Sequence, residues 1–375
     1  MVEFRKAVKK AVPIERLPGD APAPPAQQNV MPASDFVFSS RPTTGRQFIA
    51  ERTAQEIYLE GLALSAAVSE WAATGARVAF PLDAPLSALI SDVANRLATD
   101  QAWTLLSLSR AASKPKFLPA HAMNTCILST YIGMHSGMRD DQIISLANIS
   151  FLHDIGVSAI PHSSGLCLHQ IFQEYDLISD AVAGMGCCAK PDSDYFEYIK
   201  KHPLDSLKLI DAAGRIDDPT IALAAVEHHE RVDGSGYPNR KTAKEVSLAS
   251  SILAVADTYL GITHRTSEGR GIKPFDAIRT ISQMAGRKLS MDATRKFLQV
   301  MSIYPIGSGV RLNNGVIARV TGVNEKQLTK PLVRVVSAAG ESFAVDQIID
   351  LASEKLLFIR EPVCIDPLDP VFNIG

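Results

Sequence analysis

Residues 228–238 read HHERVDGSGYP, two adjacent histidines and a glutamate running straight into a glycine-rich turn. The preceding stretch, DPTIALAAVE (218–227), spaces its apolar residues as a helix does, so the pair sits in an apolar, helical setting. Neighbours on a helix point about 100° apart. That spread is too wide for one tidy chelate at His228 and His229 but workable around two adjacent ions.

Partners for the pair lie upstream and downstream. Nine histidines are present, none in the first 120 residues: His121, His135, His153, His162, His169, His202, His228, His229 and His264. His153 and Asp154 fall in ISFLHDIGV (149–157), and Asp257 falls in SSILAVADTYLGI (250–262). A carboxylate buried in such surroundings costs several kcal/mol or is neutralised unless a cation meets it. No lysine or arginine stands at helical spacing nearby, so a metal is the economical solution. Imidazole and carboxylate oxygen suit iron, manganese, zinc, cobalt or nickel. A bridging Asp154 would hold two such ions about 3.5–4 Å apart, the separation used in two-metal phosphate chemistry.

The rest of the chain frames this core. Its 375 residues carry 46% hydrophobic side chains and a net charge of −2, which gives no overall basic field for a nucleic-acid polymer or an anionic membrane. The basic start (Arg5, Lys6, Lys9, Lys10) lacks the apolar core of a signal peptide, and the apolar stretches near 61–73 and 248–262 carry Glu70 and Asp257. A cytoplasmic protein is expected. The five cysteines, Cys126, Cys167, Cys187, Cys188 and Cys364, show neither zinc-type spacing nor a disulfide framework.

Residues 1–46 read as a flexible Pro/Ala-rich tail and 47–116 as a helical module in which Trp71 and Trp103 pack. Helices continue over 117–302, with Gly137, Gly156 and Gly214 as helix stops and Pro203 in a first helical turn. Residues 303–375 change to a β texture, with an Asn-Gly turn in GVRLNNGVIARVTGV (309–323). The fold class is mainly α, with a small C-terminal β domain and no internal repeat.

HDIG followed by HHERVDGSGYP resembles the HD-GYP family, a subgroup of the HD phosphohydrolases that hydrolyse cyclic di-GMP in bacteria. YIKKHP (198–203) between the motifs and ILAVADTY (252–259) after them match as well. The resemblance covers 117–302 and implies an HD-type helical bundle. The segment YPIGSGVRLNNG (304–315) resembles a C-terminal extension found in one subgroup.

By position, the resemblance implies seven metal ligands: His121, His153, Asp154, His202, His228, His229 and Asp257. Asp154 would bridge, and His153 and Asp154 would form the catalytic signature. Phe117 stands where members with a third metal carry a glutamate, so two divalent ions are expected, iron or manganese foremost. Gly234, Gly236, Tyr237 and Pro238 would shape the loop that meets the nucleotide, with Glu230 and Asp233 bracing it. His135, His162 and His169 are read as structural or solvated.

Three departures stand out. Val157 replaces the lysine of HDIGK that neutralises substrate phosphate. THRTSEGRGI (263–272) replaces a basic, aromatic segment, where Arg265 or Arg270 would have to substitute. The stretch after Asp154 is long, and 158–195 is a candidate lid or partner surface alongside the N-terminal helices. Three functions fit: a phosphodiesterase yielding pGpG and GMP from cyclic di-GMP through a di-metal-activated hydroxide, with activity reduced by Val157; a catalytically weak nucleotide sensor or interaction module; and an HD phosphohydrolase for another nucleotide.

Overall fold

The computed structural model describes residues 52–99, 101–109, 117–159, 193–263, 274–324, 327, 329–337 and 344–363. The tail over 1–46, most of the 158–195 insertion, His162, His169, His264, Arg265, Arg270 and every cysteine but Cys126 lie outside the described residues.

The helical body starts with α1 (Ala54–Ala73), opened by a capping box in which Thr53 Oγ1 accepts from the Glu56 amide and the Glu56 carboxylate accepts from the Thr53 amide. Then come α2 (Asp83–Leu97), α3 (Ala102–Leu108), α4 (Phe117–Met134) and α5 (Asp140–Leu152). A 3-10 turn (Ile155–Ala159) leads out of α5. Beyond it lie α6 (Ser193–Ala212), α7 (Pro219–Ala222), α8 (Ala224–Glu227), α9 (Leu248–Thr263), α10 (Pro274–Met284) and α11 (Met291–Met301). The sequence of α4 is apolar nearly all round, and the helix is accordingly central, packed against α1, α5 and α9.

The N-terminal helices spend their apolar faces inside this body. On α1, Gly61 lies so close to Met123 of α4 that a Cβ would collide with the methionine side chain. Arg215 ties α2 to α5. Its guanidinium donates to Asp83 Oδ1 (2.6 Å) and Ser87 Oγ (2.8 Å) on α2 and to Asn148 Oδ1 (3.0 Å) on α5. Trp71 is buried and donates to the Val78 carbonyl (3.1 Å), as packing of that segment requires. Trp103 differs from the expectation. It is half-buried and faces Arg334 of the β domain, whose guanidinium carbon stands 5.3 Å from the ring centroid.

Of the three glycines read as helix stops, Gly137 and Gly214 have positive φ (76° and 69°) just past α4 and α6. Gly156 serves another purpose. It sits inside the 3-10 turn, where a Cβ would strike the His202 carbonyl and approach the Ser206 amide at 2.6 Å. Pro203 is likewise not in a first turn but inside α6, which starts ten residues earlier at Ser193. The ring costs that helix one hydrogen bond without ending it.

The C-terminal strands are β1 (Gly309–Leu312), β2 (Ile317–Gly322), β3 (Leu332–Ser337), β4 (Ile348–Asp350) and β5 (Ile359–Val363). They form one antiparallel sheet in the order β4-β3-β2-β1-β5. The Asn-Gly turn joins β1 to β2, with Gly315 at φ 90°. Val310, Leu312, Ala318, Val320, Val333 and Val335 supply the small core. Among the described residues no helix is long and apolar enough to cross a membrane.

Candidate metal centre

All seven residues proposed as ligands converge, and each is 4% exposed or less. His121 comes from the first turns of α4, His202 from the middle of α6 and Asp257 from α9. His153 caps α5 and Asp154 follows it in the turn, so the signature pair stands at a helix end rather than on a helix face.

Asp154 is the pivot. Its Oδ2 faces His121 Nε2 (3.6 Å) and His153 Nε2 (3.3 Å), while Oδ1 faces His202 Nε2 (3.3 Å) and His228 Nε2 (3.5 Å). Asp257 Oδ1 lies 2.9 Å from His121 Nε2, and its Oδ2 lies 3.9 Å from His229 Nδ1. Two sets of donor atoms result, His121–His153–Asp154–Asp257 and Asp154–His202–His228–His229, each with its ligand atoms within 4.8 Å of one another. Asp154 belongs to both.

The histidine pair departs from the helical expectation. α8 ends at Glu227, and both histidines occupy the turn beyond it, with ring centroids 4.0 Å apart. They join one donor set instead of dividing between two ions.

Hydrogen bonds fix the imidazoles. His153 Nδ1 lies 2.8 Å from the Ser150 carbonyl and His228 Nδ1 lies 3.0 Å from that of Ala225. A carbonyl can only accept, so Nδ1 carries a proton in both rings, which leaves Nε2 as the atom that faces the carboxylates and would meet a metal. His153 Nε2 is buried and makes no hydrogen bond of its own, an orphaned atom that a cation would satisfy.

The electrostatics agree with such a centre. Burial works to raise Asp154 and Asp257, but the surrounding imidazoles hold both well below the usual carboxylate range. Burial pushes His228 down to about 4 and holds His229 well below the usual imidazole range, so both stay neutral. At His153 burial disfavours charge, yet Asp154 and Asp257 outweigh it and lift the imidazole to about 10. The protein thus gathers a proton where an ion would sit, and metal uptake must displace it.

The loop after the pair is rigidly built. Gly236 packs on the backbone of residues 229–231, where a Cβ would come within 2.5 Å of Glu230 Cα. Gly234 takes φ 77°. The Tyr237 ring stacks on His229 at 4.8 Å and precedes a cis peptide at Pro238. Glu230 accepts from the amides of Asn239 (2.7 Å) and Lys241 (2.9 Å), and Asp233 accepts from the Ser235 amide (3.0 Å) and pairs with Lys288 (3.3 Å). Both acids brace the loop. His135 stays outside the centre, its Nδ1 donating to the Tyr131 carbonyl (2.9 Å). Cys126 is buried, which pushes its thiol up to about 12 and leaves it unreactive.

Sequence reasoning missed Glu227, Lys241 and Ser250, which meet under the centre. The available signal was a second glutamate directly before the histidine pair, in an otherwise apolar helix.

His228→Ala or His229→Ala is expected to weaken metal affinity about 10-fold or more, since losses from residues that merely support ligands already reach about 10–100-fold. His135→Ala should leave it unchanged. Metal titration of the three variants decides the matter, and equal losses at all three would mean that the centre is misdrawn.

Residues 192–294 match the HD domain family, and residues 309–367 match a KOW domain associated with the HD domain. The chain is similar to a cyclic di-GMP phosphodiesterase of Pseudomonas aeruginosa, 25% identical over 66% of this chain and 55% of that protein. It is similar to the cyclic di-GMP phosphodiesterase PdeB of Borreliella burgdorferi, 24% identical over 59% of this chain and 52% of the relative. A 3'3'-cGAMP-specific phosphodiesterase of Vibrio cholerae is 26% identical over 37% of this chain and 23% of its own length. The chain spans about half the length of the first two relatives.

Proposed function

We propose that this chain, which belongs to the HD superfamily in its GYP-bearing branch, is a metal-dependent phosphodiesterase that opens a cyclic dinucleotide, with cyclic di-GMP the first candidate substrate. The observation that carries the reading is the pair of donor sets sharing Asp154. It suits two divalent ions, iron or manganese foremost. When bound, they would supply Lewis acidity to a phosphoryl oxygen and acidity to a coordinated water.

The protein's own part is placement and exclusion. Asp154, kept anionic, and His228 and His229, kept neutral, present donors that need no rearrangement. The braced loop of Gly234–Pro238 packs on the backbone from His229 onward, with the Tyr237 ring against His229. This division of labour needs no covalent nucleophile from the protein.

A second reading, weak catalysis in a nucleotide sensor, draws on Val157. The valine is 1% exposed, within a turn packed on α1 and α6, where the family pattern has a lysine. Losing one preorganised contact to developing charge costs about 10²–10³ in rate. Slow hydrolysis of cyclic di-GMP is therefore expected from protein loaded with Fe(II) or Mn(II) at measured metal content. Metal-loaded protein that binds the nucleotide without turning it over would favour the sensor, and preference for 3'3'-cGAMP would move the substrate assignment.

Val157→Lys is expected to lower the melting temperature without restoring rate, because its ammonium would enter a packed interior. Faster turnover at matched metal content would show instead that position 157 reaches the substrate.

A further inference from the structure

The histidine pair is bracketed by two buried glutamates, Glu227 before it and Glu230 after it. Both reach the same downstream residue. Lys241 gives its backbone amide to Glu230 Oε2 (2.9 Å) and its ammonium to Glu227 Oε1 (2.6 Å). The other Glu227 oxygen, Oε2, accepts from Ser250 Oγ at 2.6 Å. Ser250 is in turn fixed by Ser247, whose hydroxyl lies 2.8 Å from Ser250 Oγ and accepts from the Ser250 amide (3.1 Å).

Ser250 stands in the first turn of α9, seven residues before Asp257. Seven residues are about two helical turns, so both side chains lie on one face about 10.5 Å apart along the axis. Glu227 therefore joins three segments: the turn bearing His228 and His229, the strap leaving the GYP loop at Lys241, and the helix bearing Asp257. It is 3% exposed, and a buried carboxylate held by an ammonium and a hydroxyl is costly to disturb.

We infer that Glu227, clamped by Lys241 and Ser250, is a positioning residue that sets the His228–His229 pair in register with Asp257. The inference rests on the metal centre proposed above. The clamp touches no ion; it acts through the ligands that it aligns. Its chemistry also dictates which replacements succeed. Position 241 needs a cation long enough to reach a buried carboxylate, and position 250 needs a hydroxyl donor.

The test is titration of the metal-stripped 375-residue chain with Mn(II) alone, reading free Mn(II) by electron paramagnetic resonance, with the melting temperature of the metal-stripped protein measured in parallel. Glu227→Gln and Lys241→Met should each weaken Mn(II) affinity about 10-fold or more, while Lys241→Arg restores most of it. Ser250→Ala removes one bond without stranding a charge and should weaken affinity several-fold, which keeps a readable variant should Glu227→Gln not fold. Folded variants with lowered melting temperatures but wild-type Mn(II) affinity would overturn the inference, because Glu227 would then be merely structural. Wild-type protein that takes up no Mn(II) would overturn the metal centre itself and this inference with it.

Discussion

Asp154→Ala should empty the whole centre. Each of the two carboxylate oxygens faces a different donor set, so truncation removes a ligand from both at once. Removing any of the other six residues leaves one set intact. Wild-type protein prepared without oxygen is expected to carry close to two transition-metal ions per chain, and the variant close to none, with the proposed phosphodiesterase activity lost in step. Given that supporting residues alone are worth about 10–100-fold in affinity, loss of a shared ligand should exceed about 100-fold for each ion. Elemental analysis of both proteins gives the answer. Retention of one full equivalent by Asp154→Ala would mean that the carboxylate serves a single ion.

Gly156→Ala should be nearly as damaging, although the added group is one methyl. Its Cβ would meet the His202 carbonyl and stand 2.6 Å from the Ser206 amide and 2.8 Å from Ser206 Oγ. All three atoms belong to α6, two of them to its backbone, so the conflict is relieved by parting the 3-10 turn from the helix. That movement carries His202 away from Asp154 Oδ1, now 3.3 Å from it. It also breaks the bond from the Gly156 amide to Ser206 Oγ (2.9 Å). Overpacking typically costs about 1–3 kcal/mol, and a clash with backbone belongs at the upper end. A lowered melting temperature with loss of bound metal is expected. A well-folded variant with full metal content would show that the turn can slide without disturbing its ligands.

Much of this was legible in the sequence, for identifiable reasons. Asp154 and Asp257 declared themselves because charges in apolar helices demand compensation, and the change to Val-rich alternation after residue 303 announced the sheet. The histidine pair was legible as a site but not as a geometry. A helical projection divides two adjacent residues between two directions, whereas both imidazoles, at the end of the helix, reach one donor set. Gly156 and Pro203 were misread together. A glycine after a helix and a proline before a polar run both look like punctuation, and only the packed structure shows one giving clearance to the other's helix. Glu227 was marked only by its place before the pair; its role was not legible, because its partners, Lys241 and Ser250, lie 14 and 23 residues away and no local pattern links them.

The seating of α1 bears on how this protein can change over evolutionary time. The helix touches both α4, which carries His121, and the turn that follows Asp154. A domain joined to its neighbour by a linker can be exchanged by recombination as a cassette, and the exchange leaves its neighbour's chemistry alone. Among the described residues α1 packs directly on α4 and on the turn after Asp154, so a replacement helix would have to cover the same apolar surface. Exchange of the first helices alone is therefore expected to disturb the proposed centre, although residues 54–73 contribute no atom to its donor sets.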